Sequence, residues 1–327
     1  MTVIVTGAAG FIGYHVTHAL LDRGVSVIGV DNLNAYYDPR LKEARLDRLR
    51  ARPGFRFTKA DVADKAAMFA LVDANPAVEA VVHLAAQAGV RYSLTDPWAY
   101  VDANVHGQLT VMEACLRLPA CRHLVYASSS SVYGANEKLP FSVDDAVERP
   151  ISMYAATKRA AELMAASYAH LHRLPMTGLR FFSVYGPWGR PDMAAYLFTE
   201  AILAGEPIQV FNAGDMSRDF TYIDDIVAGV LAALDRPPAD DGPVAPPHRL
   251  FNLGNNKSED LNRFIGLIEA ACGRPARRET REMQPGDVKA TYADIASAER
   301  TLGFRPETPI DVGLTRFVAW YREYHGI

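Results

Sequence analysis

Cysteine is scarce in this sequence. Cys115, Cys121 and Cys272 are the only three in 327 residues. They are an odd number without metal-ligand spacing, so they read as buried thiols in a reducing compartment and not as a zinc site. No apolar run approaches the ~20 residues needed to span a bilayer. The first strand pattern begins at Thr2, which leaves no room for a signal peptide; with no membrane span either, the expectation is a cytoplasmic protein. Neither sign of charge dominates. The 34 Lys+Arg against 38 Asp+Glu give a net charge of -4, which removes any broad electrostatic reason to bind nucleic acid. The nine histidines include His15/His18 and His170/His172, but no cysteine or carboxylate cluster joins them. Helix-surface or core positions account for them without a metal. Internal repeats and low-complexity tracts are lacking too. What remains is an ordinary composition, 49% hydrophobic and 22% charged, in a chain long enough for one large core or two smaller ones.

The chain is organised around Tyr154-Ala155-Ala156-Thr157-Lys158. Residues four apart on a helix share a face. An ammonium near a phenol favours the phenolate, which makes Tyr154 a candidate general base. Alone the pattern is weak, because both residues are common on exposed helix faces. Upstream, Val125 to Gly134 reads as a buried strand running out into a hydroxyl-rich loop, Ser128-Ser129-Ser130-Ser131. Serines there are placed to share a substrate proton with Tyr154.

At the other end of the chain, Thr2–Thr6 is a strand pattern. It is followed by Gly7-Ala8-Ala9-Gly10-Phe11-Ile12-Gly13 and a helical pattern to about Asp22. Strand, glycine turn and helix form the context of a dinucleotide site. Gly7 permits the turn, Gly10 lets backbone approach a pyrophosphate, and Gly13 lets helix and strand pack closely. The helix start at Phe11 and Ile12 offers free N–H groups. Asp31 closes the second strand pattern, 18 positions after Gly13. An acid there accepts hydrogen bonds from an adenosine ribose and repels a 2′-phosphate, so NAD is expected over NADP; helix capping is the competing role.

Residues 34–54 carry interleaved charges of both signs and read as a solvated helix. Strand patterns follow at Phe55–Lys59, leading to Asp61-Val62, and at Ala80–Ala86, which includes Leu84-Ala85-Ala86. One long helix is expected around Trp98–Leu118, carrying Asn104. A second, roughly Ser152–His172, carries Tyr154. Pro175–Phe181 is a further strand. Beyond it the alternation becomes irregular. Ser183–Asp192 is loop-like, and five prolines in 236–249 (Pro237, Pro238, Pro243, Pro246 and Pro247) mark an exposed loop. Helical patterns recur near 258–272, 294–302 and 310–325. The expected class is α/β: a doubly wound parallel Rossmann-type sheet with a smaller C-terminal substrate-binding lobe. The cofactor domain is expected over 1–182 and about 220–252, and the discontinuous lobe over about 183–219 and 253–327. The site belongs in the crevice at the C-terminal strand ends.

Gly7-x-x-Gly10-x-x-Gly13, the Ser128–Gly134 loop and Tyr154-x-x-x-Lys158, in this order, resemble the extended short-chain dehydrogenase/reductase family over essentially the whole chain. Ser129 precedes Tyr154 by 25 residues, the separation usual in nucleotide-sugar epimerases of that family. Four further runs resemble UDP-glucuronate 4-epimerases: Asp31–Asp38, Ala88–Ser93, Phe182–Met193 and Met283–Val288. One departure is a serine at 128 where relatives can carry threonine.

The resemblance implies an NAD site of Gly7, Gly10, Phe11, Ile12, Gly13, Asp31, Asn32, Asp61, Val62, Leu84, Ala85, Ala86 and Asn104, with Tyr154 and Lys158. It implies Tyr154 as the base at the sugar 4-hydroxyl, Ser129 as donor to the developing oxyanion, and Lys158 holding the phenolate and the nicotinamide ribose. It implies substrate contacts at Arg91, Ser128, Ser129, Ser130, Ser183, Arg190, Arg218 and Asp287. Arg218 takes the pyrophosphate and Asp287 the nucleotide, each with a surface ion pair as its alternative. Arg190, helped by Ser128 and Ser183, binds the sugar carboxylate or else clamps its own loop. A homodimer through the helices near 98–118 and 152–172 is implied as well, and no metal. UDP-galactose 4-epimerase, UDP-glucuronate decarboxylase and an NAD-binding regulator without turnover are the competing readings. Intact Ser129, Tyr154 and Lys158 argue against the last. Ser129-Ser130-Ser131, in place of the Thr-Asp-Glu run of sugar 4,6-dehydratases, argues against dehydration.

Overall fold

The structure, a computed structural model, describes every residue except Pro243 and Pro285. The readings of those two prolines, one in the 236–249 loop and one in the Met283–Val288 run, lie outside the described residues. Seven parallel strands form the central sheet: β1 (Thr2–Thr6), β2 (Ser26–Asp31), β3 (Phe55–Lys59), β4 (Ala80–His83), β5 (His123–Ser129), β6 (Met176–Phe181) and, after four short strands, β11 (His248–Leu253). Their order is β11-β6-β5-β4-β1-β2-β3. The inner strands are near-continuous Val/Ile/Leu runs, as expected where both faces are covered. Alternation divides their side chains. Val3 and Val5 pack on one face with Val16 and Leu20 of α1 (Phe11–Asp22) and Ile226 and Val230 of α8 (Ile223–Leu234). Ile4 and Ile28 pack on the other with Met68 of α3 (Lys65–Asp73), Val111 of α5 (Gly107–Leu116) and Ala165 of α6 (Met153–His172). The order reverses between β1 and β4, and the crevice beyond their C-terminal ends is where the site forms.

Several sequence expectations change in detail. β4 ends at His83, because Leu84 and Ala85 donate to the carbonyl and hydroxyl of Thr6 and the chain then leaves the ladder. α2 (Pro39–Arg50) is not a solvated helix: Leu41, Leu46 and Leu49 face the core, and Lys42 and Arg45 are buried with them. The helix expected over 98–118 runs without a break over 97–116, with one π turn inside it. α4 (Pro97–Val101) passes into α5 through a π turn at Asp102–His106, with helical backbone angles throughout. Such turns often sit at functional sites, and this one carries Asn104. The 236–249 stretch is largely exposed, though Pro238 and Pro247 are buried.

Outside the central sheet, β7 (Ser183–Tyr185) pairs with β10 (Phe220–Tyr222). β8 (Pro207–Phe211) pairs with β13 (Arg277–Arg281), and β9 (Ser217–Arg218) pairs antiparallel with β12 (Glu259–Asp260). α7 (Ala194–Ala204), α9 (Leu261–Cys272) and α11 (Ile310–His325) pack on one another, with α10 (Ala296–Leu302) beside α8. Among the described residues no helix is long and apolar enough to cross a membrane, and no cluster of His, Cys, Asp and Glu could hold a metal.

Candidate active site

The glycine turn forms one wall of a cavity of ≈470 Å³. Gly7 has φ +71°, and a Cβ there would come within 2.7 Å of the Ala85 nitrogen; one on Gly13 would run into the Gly7 carbonyl. Only glycine fits either place. Gly10 precedes α1 with no side-chain cap, and no acid stands in the first turn. The N–H groups around Phe11 and Ile12 therefore present a positive end to the cavity, which suits a pyrophosphate. Asp31, at the end of β2, accepts from Ala9 N (3.2 Å) and Leu33 N (2.8 Å). Its other neighbour is Lys42, whose Nζ lies 3.8 Å away and donates to Asn34 at 2.7 Å. Asn32 donates to Asp61 at 2.8 Å. These two, with Val62, Leu84, Ala85 and Ala86, complete this wall.

Asn104 is the exception among the expected cofactor contacts. It is buried and does not line the cavity. Its amide is fully engaged: Oδ1 accepts from Gln87 N (2.9 Å), and Nδ2 donates to Gln87 O (3.0 Å) and to Thr157 (3.1 Å). The lining residue is Gln87, and Asn104 positions it.

Tyr154, Lys158 and Ser129 come together on the opposite wall. Ser152 caps α6, its hydroxyl accepting from Ala155 N at 3.1 Å, so Tyr154 stands in the first turn. Ser129 Oγ accepts from Ser131 N (3.1 Å), which leaves its proton available to donate. Burial pushes the Tyr154 phenol up, and the Ser129 hydroxyl and then the Arg190 charge oppose that; Asp192 adds to the rise. Among the side-chain cations, Arg190 is the one that favours the phenolate in this arrangement, behind burial and the Ser129 hydroxyl in size. The lysine donates to Ala127 O at 3.0 Å, and burial brings its pKa down to about 8 against the pull of Glu162.

Ser128 and Ser129 point to opposite faces, as adjacent strand residues must. Ser128 borders the cavity, but its hydroxyl donates to Glu162 Oε1 at 2.6 Å. Glu162 takes a bidentate pair from Arg180 (2.8 and 3.0 Å). The expected substrate contact through the Ser128 hydroxyl is therefore replaced by an internal one. Ser130 and Ser183 line the cavity. Arg190 does too, but its fork is engaged: Nε and Nη2 donate to the two oxygens of Asp192 (2.9 and 2.6 Å), and Tyr36 donates to Asp192 at 2.9 Å. A bidentate contact from the Nε edge to a sugar carboxylate is thus not available in this arrangement; the remaining guanidinium edge is.

Beyond Arg190 the site opens into a second, more apolar space of ≈750 Å³ between α7, β8 and Leu261, bordered on the shared side by Gly89, Ser183, Met193, Arg218 and Asp287. Arg91 lies here and not beside Tyr154. It pairs with Asp287 at 3.4 Å and stacks on Phe211 at 4.6 Å. Arg218 donates to Ser217 O and Lys289 O and faces both spaces. Tyr36, Gln87, Asp192 and Phe211 were not singled out from sequence. Asp192 and Tyr36 both stand in runs that carry the family resemblance, which was the available signal.

A profile of the NAD dependent epimerase/dehydratase family matches residues 3–254. The chain is 46% identical to a protein of Rhizobium meliloti named probable UDP-glucuronate 4-epimerase, over 98% of this chain and 97% of that one. It is 46% identical to UDP-glucuronate 4-epimerase 1 of Arabidopsis thaliana, over 100% of this chain and 78% of the plant protein. Its structure superposes on a crystal structure of UDP-glucuronic acid 4-epimerase from Bacillus cereus, in complex with UDP-glucuronic acid and NAD. The TM-score is 0.90 at 31% identity, covering 99% and 100% of the two chains.

Proposed function

We propose that this chain, which belongs to the NAD dependent epimerase/dehydratase family, inverts C4 of UDP-glucuronate to give UDP-galacturonate. The observation that carries the reading is the continuity of one cavity, from the glycine turn past Ser129, Tyr154 and Lys158 to Arg190 and Arg218. When bound, NAD supplies a reversible hydride acceptor for C4. The glycine-turn N–H groups suit its pyrophosphate, Asp31 its adenosine ribose, and Lys158 its nicotinamide ribose.

Tyr154 as phenolate takes the proton from O4, and the Ser129 hydroxyl donates to the oxygen as charge develops on it. Tyr154 returns that proton to O4 after the 4-keto sugar has turned over, with the Ser129 hydroxyl still donating to the same oxygen. Arg218 and Arg91 hold the nucleotide while the sugar rotates, and the open side of the second space gives the uridine end its room. Arg190, through the edge that Asp192 leaves free, with Ser183 beside it, supports the sugar carboxylate. That support has a chemical purpose. The 4-keto intermediate is a β-keto acid, and it loses carbon dioxide when the C5–C6 bond aligns with the carbonyl π system. A carboxylate held away from that alignment survives.

The enzyme is cytoplasmic in this reading. Its cofactor domain takes residues 1–182 and about 220–252, and its nucleotide-sugar lobe takes the rest. Pairing of two copies through α4, α5 and α6 is supported by apolar side chains left open there, among them Trp98 (76% exposed), Leu163 (55%) and Leu171 (66%). The test of the reaction is to incubate the protein with UDP-glucuronate and resolve the nucleotide sugars by NMR. UDP-galacturonate is expected. A UDP-pentose as sole product, or turnover of UDP-galactose with none of UDP-glucuronate, overturns the reading.

A further inference from the structure

The charged insertion that contributes α2 holds one residue with no part in the chemistry above. Arg45 is 0% exposed, and its four hydrogen-bond acceptors are uncharged oxygens from three separate segments. Nη1 donates to Ala9 O (2.9 Å), inside the glycine turn, and to Tyr37 Oη (2.8 Å). Nη2 donates to Trp188 O (2.6 Å) and Gly189 O (3.3 Å), immediately before Arg190. A buried guanidinium is costly unless its donors are met. Here three backbone carbonyls and the Tyr37 hydroxyl meet the two terminal nitrogens, while the buried Nε has no partner among the described residues; most of what the charge holds in place is backbone.

The segment it grips is strained. Trp188 has φ +63°, a conformation few non-glycine residues adopt without outside support. Two further contacts come from the cofactor side. His15, kept neutral with its pKa near 4 by burial, donates from Nε2 to Pro187 O at 2.9 Å, and Arg48 stacks on the Trp188 ring at 5.4 Å.

We propose that Arg45 is a positioning residue that fixes the Arg190 segment against the cofactor's glycine turn, and so sets how well the site recognises the sugar carboxylate. Through one planar group, the distance from the pyrophosphate-binding backbone to the carboxylate-binding arginine is held constant. The claim rests on the proposed substrate for its functional half and on geometry alone for its structural half.

The test compares wild-type holoenzyme with Arg45→Met, and with Arg45→Lys, which keeps the charge but reaches fewer carbonyls and serves if the methionine variant fails to fold. The variants are expected to keep bound NAD and to bind UDP within about threefold of wild type. They should bind UDP-glucuronate at least about tenfold more weakly, within the usual range for coupled sites, and release a larger share of carbon dioxide. A parallel loss of UDP and UDP-glucuronate affinity, or no loss of either, overturns the proposal. Amide hydrogen exchange supplies a readout that needs no substrate. Residues 186–193 should exchange faster in the variants while β4 and β5 do not; unchanged protection there also overturns it. If wild-type enzyme shows no preference for UDP-glucuronate over UDP, the substrate reading fails, and exchange alone decides the role of Arg45.

Discussion

Arg190 lies on Asp192, two residues along, in a paired contact of 2.9 and 2.6 Å, and both charges reach Tyr154. The arginine lowers the phenol's pKa and the aspartate raises it. Behind burial, which raises the phenol most, and the Ser129 hydroxyl, which lowers it, the two charges of the pair thus act in opposite senses.

Asp192→Asn unbalances that pair. Turnover needs the phenolate, so the rate climbs as pH rises through the phenol's pKa. Removing the negative charge lowers that pKa, and the acid limb of the kcat/KM profile should move to lower pH, with tighter binding of UDP-glucuronate relative to UDP. Movement of the limb to higher pH would show that Asp192 acts mainly by holding Arg190 in place.

Arg190→Ala removes the opposite charge. Loss of a charge-assisted contact costs about 1.5–3 kcal/mol, so UDP-glucuronate should bind roughly ten- to a hundredfold more weakly. The product mixture should shift toward the decarboxylated 4-keto-pentose. Measuring UDP-galacturonate and carbon dioxide from the same reaction settles both. Wild-type values for each would leave Arg190 a clamp for its own loop.

Tyr154→Phe should fold and retain NAD but lose about 10²–10⁴ in rate, the usual scale for a general base. Near-normal turnover would take the tyrosine out of the mechanism.

For the cofactor, NAD stripped from the enzyme and titrated back should bind far better than NADP, since a 2′-phosphate would meet the Asp31 carboxylate. Lys42, 3.8 Å from that carboxylate, offsets part of the repulsion. Equal affinities would mean that the lysine wins.

Glu162→Gln should act on stability and on pH together. It leaves Arg180 buried without its charge partner, a change worth about 3–5 kcal/mol, readable as a drop in chemical-denaturation midpoint. Glu162 also raises the Lys158 pKa against burial. Its other close neighbours, Arg180 and Arg159, are cations, and His83 is buried and neutral. The ammonium is present below its pKa and lost as pH rises through it. The variant should therefore lose activity at a lower alkaline pH than wild type, and an unmoved limb would separate Glu162 from the lysine.

What could be read from sequence was local. The glycine turn, the apolar strands and the helix that carries Tyr154 each declare themselves locally, because their causes are backbone geometry and burial periodicity. The reading failed where a side chain's partner lies far along the chain. Arg45 looks like one more charge on a solvated helix until Ala9 and Trp188 are seen around it. Asn104 looks like a ligand contact until Gln87 and Thr157 take its amide. Ser128 is a different case: strand alternation already separates it from Ser129, but only the arrival of Glu162 from α6 shows which of the two faces inward.

The placement of β11 has a bearing on how the molecule is made. Its partner β6 is synthesised long before it, with β7 to β10, α7 and α8 emerging in between. Until His248–Leu253 arrives, one side of Met176–Phe181 is an apolar strand edge with nothing bonded to it, the kind of edge that recruits other chains. A polypeptide stopped short of that point carries the glycine turn with Ser129, Tyr154 and Lys158, yet leaves the fully buried β6, in place of the partly exposed β11, at the edge of its sheet. Early termination therefore yields an adhesive fragment, not a smaller working enzyme.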